Sequence, residues 1–130
     1  METKTITQTV RIKANPHEVY EALMDSGKHS EITGDTAKIS LMKGGQFSTF
    51  NGYATGQNLE LQEDKKIVQS WRASNWPEGH FSKVTIELKK MANGTQLKFK
   101  QEDVPDFDYK SVAQGWEGYY WQPMKKYLAR

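Results

Sequence analysis

The chain has 130 residues, 18 Lys and Arg against 16 Asp and Glu, and no cysteine. The length suits one domain with a core of its own, and the missing thiols exclude disulfides, thiolate metal sites and a cysteine nucleophile. The formal charge of +2 comes from acids and bases mixed along the chain, without the dense basic stripe of a nucleic-acid binder. The first residues carry no apolar signal run, and no stretch approaches the roughly 20 apolar residues of a membrane helix, so a cytoplasmic protein is expected. Four Trp, six Tyr and five Phe are many for this length and point to a large core, a lined pocket or an adhesive surface.

The first element is a strand over Thr5 to Ala14, where Ile6, Val10 and Ile12 alternate with Thr7, Thr9, Arg11 and Lys13. Asn15-Pro16-His17-Glu18 then reads as a helix start, with Asn as cap, Pro in the first turn and Glu three residues after the cap. Val19, Tyr20, Leu23 and Met24 give that helix its apolar side, and Gly27 is expected to end it. A second short helix is expected from Ser26 or Lys28 to Ile32, before the turn at Thr33-Gly34-Asp35.

Strands follow from Thr36 to Gln101. The pattern predicts them over Ala37 to Leu41, Gln46 to Phe50, Tyr53 to Gln62 and Lys66 to Asn75, with Asn51-Gly52 as a tight hairpin turn. Trp76-Pro77-Glu78-Gly79-His80 is punctuated by proline and glycine and reads as a loop. In the last hairpin Val84, Ile86 and Leu88 alternate with Lys83, Thr85, Glu87 and Lys89, and Leu97 and Phe99 with Gln96, Lys98 and Lys100. One face of each strand is hidden and the other wetted, as in an antiparallel sheet covered on one side.

A long helix closes the chain from about Asp106 to Arg130. Val112, Trp116, Tyr119, Tyr120, Tyr127 and Leu128 recur at three- and four-residue steps along it. Asp106 or Asp108 is expected to cap its start, and Lys125, Lys126 and Arg130 suit the negative end of its dipole. Pro123 should kink it. Gly115 and Gly118 flank Trp116; the preferred account is close packing on a sheet, the sharper one room for a ligand beside the helix. A hairpin-connected sheet with one aromatic-faced helix must lay that helix across its concave face. The expected fold is therefore α+β: a curved antiparallel sheet of six to seven strands gripping a long C-terminal helix, with two short helices after the first strand, as one domain over residues 1–130.

Trp71-Arg72, Trp76-Pro77-Glu78-Gly79-His80-Phe81 and Gly115-Trp116 with Tyr119-Tyr120 together resemble the C-terminal domain of the activators of the Hsp90 ATPase. His29-Ser30-Glu31-Ile32-Thr33-Gly34 and Gly44-Gly45-Gln46-Phe47-Ser48 look like the form found in small stand-alone members. The resemblance runs over nearly the whole chain and implies the helix-grip fold of START and Bet v 1-like proteins. It also implies a non-enzymatic binding domain that engages an Hsp90-type chaperone and stimulates its ATPase. The separate N-terminal domain of the eukaryotic co-chaperones has no counterpart in these residues.

Catalytic and metal sites find little support. His17, His29 and His80 are far apart, without metal-ligand spacing, and a partly exposed structural role is expected for each. The serines lack a nucleophile elbow, and the carboxylate pairs Glu102-Asp103 and Asp106-Asp108 are assigned to helix capping. No catalytic residue, metal or cofactor is expected. The alternative function is a carrier or sensor of a small hydrophobic ligand, in a cavity lined by Trp71, Trp76, Phe81, Phe99, Trp116, Tyr119 and Tyr120. Either these rings leave a pocket or they fill the space. Arg72 should emerge on the opposite face and pair with an acid such as Glu60 or Glu87.

Overall fold

Period-two alternation governs most of the chain, and it produces the sheet. The computed structural model describes residues 1–128. Its strands are β1 (Thr3–Ile12), β2 (Lys38–Ile39), β3 (Gln46–Thr49), β4 (Ala54–Gln62), β5 (Lys66–Ala73), β6 (Ser82–Met91) and β7 (Gly94–Pro105). They form one antiparallel sheet in the order β1-β7-β6-β5-β4-β3-β2. Strands β2 to β7 meander in sequence order, while β1 crosses to lie beside β7. The inward parity of β1, β6 and β7 brings Ile6, Val10, Ile12, Val84, Ile86, Leu88, Leu97 and Phe99 into a single core. Gly56 opposes Trp71 in the β4–β5 pair, and a Cβ there would fall 1.8 Å from the Ser70 carbonyl oxygen. Only glycine fits so close an approach.

Helices α1 (Pro16–Met24) and α2 (Ser26–Thr33) pack on each other, α1 also against β6 and β7 and both against the C-terminal helix. The Asn15 side chain accepts a hydrogen bond from the Glu18 amide at 2.9 Å, as the capping pattern requires. Gly27 does not end α1: Asp25 terminates it and caps α2 by accepting from the Lys28 amide, leaving Gly27 inside α2.

The C-terminal helix has three parts after the single 3-10 turn at Asp106–Asp108: α3 (Tyr109–Gly115), a π-helical turn (Trp116–Trp121) and α4 (Gln122–Leu128). The Gln122 amide donates to the carbonyl of Glu117, five residues back, and Pro123 follows with no N–H to offer. The expected kink is thus taken up as a widened turn that inserts one residue. All side chains beyond it shift. Val112, Trp116 and Tyr120 are buried as expected, but Tyr119 turns outward at 63% exposure, while Trp121 and Met124, at 0% and 1%, take the inner face. Tyr127 and Leu128 are half-buried. Lys125 and Lys126 occupy the last turn; Arg130 lies outside the described residues.

The acids before the helix do not cap it. Asp108 is buried and accepts from the Trp76 indole at 2.7 Å, Asp106 pairs with Lys4 at 3.1 Å, and no side-chain cap bond forms at either. Nor does Arg72 meet an acid among the described residues. Its Nη2 donates to the carbonyls of Trp76 and Pro77 at 2.8 and 3.2 Å, which fastens the loop after β5.

Candidate functional site

Between the C-terminal helix and the β3–β5 end of the sheet lies a half-open cleft of about 280 Å³. Trp71, Val112, Gly115 and Trp116 line its depth, and Phe50, Tyr53 and Tyr119 stand at its mouth. The Trp116 ring stacks on Tyr120 with centroids 4.4 Å apart and lies 6.0 Å from Trp71. Phe50 meets Tyr119 and Tyr120 edge-on at 5.9 and 5.4 Å, and Tyr53 meets Trp71 at 6.3 Å. The edge-on distances fall in the range of favourable aromatic pairs, and the stacked pair lies at its short end.

The tight turn that carries Phe50 starts one residue earlier than the Asn51-Gly52 reading. Its central residues are Phe50 and Asn51, with φ of 52° and 54°, closed by the Gly52 amide donating to the Thr49 carbonyl at 3.2 Å. A phenylalanine in the left-handed region is strained, by about 1–3 kcal/mol. Its ring contacts with His29, Tyr119 and Tyr120 hold it there.

The expected site residues divide into two groups. Trp71, Trp116, Tyr119 and Tyr120 line the cleft. Trp76, Phe81 and Phe99 do not. Trp76 is sealed behind Trp71, ring centroids 5.3 Å apart, with its N–H committed to Asp108. Phe99 is wedged against Trp116 at 4.5 Å and Trp121 at 5.6 Å, inside the core. Phe81 precedes Ser82, the partner of Trp71, so the pleat sends it to the far face of the sheet. There it is 45% exposed, with the Arg72 guanidinium 6.0 Å from its ring.

Beneath the cleft, behind Tyr120, Trp71 and Trp116, is a void of about 20 Å³ bordered by His29, Thr49 and Gln69. His29 is buried at 3% exposure, against the expectation of a partly exposed residue. Its Nε2 lies 3.0 Å from the Tyr120 hydroxyl, and its Nδ1 has no hydrogen-bond partner among the described residues. Burial lowers the His29 pKa from 6.5 to about 4 and pushes the Tyr120 phenol well above its ordinary value. Both are neutral at physiological pH. The one sequence signal for His29 was Ile32, three residues on and on the same buried side of α2.

Sequence reasoning also missed the residues that anchor the indoles. Gln101 accepts from Trp116 Nε1 at 2.8 Å and donates to Ser82 Oγ, and Gln8 accepts from Trp121 Nε1 at 2.6 Å. Both sit at inward positions of alternating strands, so strand parity could have found them. Of the other histidines, His80 hydrogen-bonds the Asp103 carbonyl at 2.8 Å. His17 is exposed, with Nδ1 3.0 Å from Asp64. The Asp64 hydrogen bond raises the His17 pKa. Among the described residues, His17, Glu63 and Asp64 are the one trio able to converge on a metal ion, and all three lie at the surface.

The family described as Activator of Hsp90 ATPase homolog 1-like protein matches residues 13–129. The chain belongs to that family. Among its relatives, the human Activator of 90 kDa heat shock protein ATPase homolog 1 is 28% identical over 93% of this chain and 36% of its own length. An uncharacterized protein of Schizosaccharomyces pombe is 30% identical over 95% of this chain and 37% of its own. The chain therefore spans just over a third of these curated relatives. The crystal structure of an HSP90 activator from Plasmodium falciparum superposes with a TM-score of 0.89 at 25% identity, covering 96% of both chains. The fold is the START-like helix-grip fold of this family. No helix among the described residues is long and apolar enough to cross a membrane.

Proposed function

We propose that this member of the family binds an Hsp90-type chaperone and stimulates its ATP turnover, performing no chemistry of its own. The observation that carries the reading is the Plasmodium falciparum chain, named an HSP90 activator and matched over 96% of its length by this one. Exposed Tyr119 and Phe107, and Leu59 and Phe81 on the far face, offer apolar contacts of the kind that docking surfaces use. The test is the steady-state ATPase rate of the Hsp90-type chaperone from the same cell, measured as this protein is titrated in. A saturable rise is expected; an unchanged rate together with no binding by calorimetry removes the proposal.

A second reading is favoured by a specific observation, the cleft of about 280 Å³ with Trp71 and Trp116 in its wall. In that reading the protein carries or senses a small apolar ligand. Aromatic walls with a few hydroxyls are the usual make-up of such seats.

A further inference from the structure

We propose that the cleft takes an uncharged, flat aromatic molecule of one or two rings bearing a hydroxyl or carbonyl, and rejects fatty acids and other anions. The proposal rests on the reading of the cleft as a ligand seat, and names the class of its ligand.

Four observations carry it. The first is charge. The lining is made of aromatic rings with Ser111, Val112 and Gly115, and contains no Lys, Arg, His, Asp or Glu. A carboxylate drawn into it would lose water and find no cation. The nearby polar groups do not alter this. Behind the wall, His29 is kept neutral by burial, and at the mouth the Tyr53 phenol is raised by burial and then by the negative charge of Asp108.

The second is size. About 280 Å³ falls just below the ~300–1,000 Å³ of sites for drug-sized molecules, which suits one or two fused rings better than a long acyl chain.

The third is Gly115. Close packing on the sheet, the preferred account from the sequence, is not what this glycine does. A Cβ there would meet only the Tyr119 ring at 3.8 Å, an ordinary contact, and one at Gly118 would meet nothing within 4 Å. The helix thus keeps a residue of poor helical propensity where its packing does not demand one. At Gly115 the space left open belongs to the cleft.

The fourth is a template within the protein. Tyr120 is itself a phenol stacked on Trp116 with its hydroxyl on His29, so the neighbourhood already accommodates a ring with one hydroxyl. Strained Phe50 and exposed Tyr119 hold the outer wall, edge-to-face, where they can close on a second flat ring.

The experiment titrates the full chain with 1-naphthol, 1-naphthoate and laurate at neutral pH, read by tryptophan quenching and by backbone amide shifts. Saturable binding of 1-naphthol is expected, with 1-naphthoate weaker by about tenfold or more and no saturable response to laurate. Gly115→Leu should abolish the naphthol response with an unchanged circular dichroism spectrum. Tyr119→Ala, a change at an exposed ring, should weaken it several-fold and serves if the first variant folds poorly. Equal or tighter binding of 1-naphthoate or laurate overturns the ligand class while leaving the cleft a seat for acids. Naphthol binding unaffected by both variants places the ligand elsewhere and overturns the proposal. Silence toward all three probes removes the ligand-seat reading itself, and the proposal with it.

Discussion

His29 stores a pH dependence in a single side chain. Its unfolded imidazole takes a proton near 6.5 and the folded one only near 4, because protonation would place a charge in the core. Acid therefore favours the unfolded chain. The His29 contribution is fully present above about pH 6.5, falls as the pH drops, and is spent below about 4, a loss on the order of 3 kcal/mol. Urea midpoints taken across that window should decline, and His29→Gln, which can still bond the Tyr120 hydroxyl, should flatten the decline. Parallel pH profiles for the two proteins would exclude this account. The indole anchors make a second residue-scale prediction. Gln101→Leu leaves the buried Trp116 N–H without its acceptor, and a destabilisation of about 1–3 kcal/mol in urea is expected. Trp76→Phe strands the buried Asp108 carboxylate, a charged partner, so its loss should lie at the upper end of that range or above. An unchanged midpoint for either would show that water replaces the missing partner.

At the scale of elements, the C-terminal helix departs most from what its spacing promised. The π-helical turn at Trp116–Trp121 exchanges Tyr119 for Trp121 on the inner face. Regular 3.6-residue counting cannot foresee that exchange, since an inserted residue advances every later side chain around the axis. Pro123 is the visible clue in the sequence, and it predicts a bend where the structure has a widened turn. The helix also retains Gly115 without a steric need. Gly115→Ala should therefore stabilise the fold by about 0.5–1 kcal/mol, or about 2–4 °C in the melting temperature. A lowered Tm would show that the glycine relieves strain in the adjoining turn. The β3–β4 connection departs in another way. Asn51-Gly52 marked a turn, but Phe50 holds a left-handed position because its ring is worth more against His29 and Tyr120 than a relaxed backbone would be.

Across the whole molecule, the sheet order places β7 and β6 between paired neighbours, with β1 at one edge and β2, only two residues long, at the other. Amide exchange should be slowest in β6 and β7 and fastest around β2 and the loop carrying exposed Leu41 and Met42. Slow exchange at β2 would point to cover from another surface. Much of this architecture was legible in advance. The alternation of Val84, Ile86 and Leu88 and the Asn15 cap are local signals and fold as their patterns read, while the aromatic C-terminal segment forms a helix as expected but not with the expected inner face. The motif pieces around Trp71, Trp76 and Trp116 carried the family for the same reason. Of the rings expected around a cavity, Trp71, Trp116, Tyr119 and Tyr120 line the cleft, whereas Trp76 and Phe99 lie in the core and Phe81 on the far face of the sheet. Parity and periodicity report which side of its own element a residue takes. They do not say which surface waits on that side, and they fail where a bulge or a widened turn changes the count. Element type, element order and family were thus determined by the sequence itself. That His29 is buried against Tyr120, that Gln8, Gln101 and Asp108 hold the indoles, and that a cleft opens at Gly115 were decided only when distant segments packed, because each depends on contacts between residues far apart in the chain.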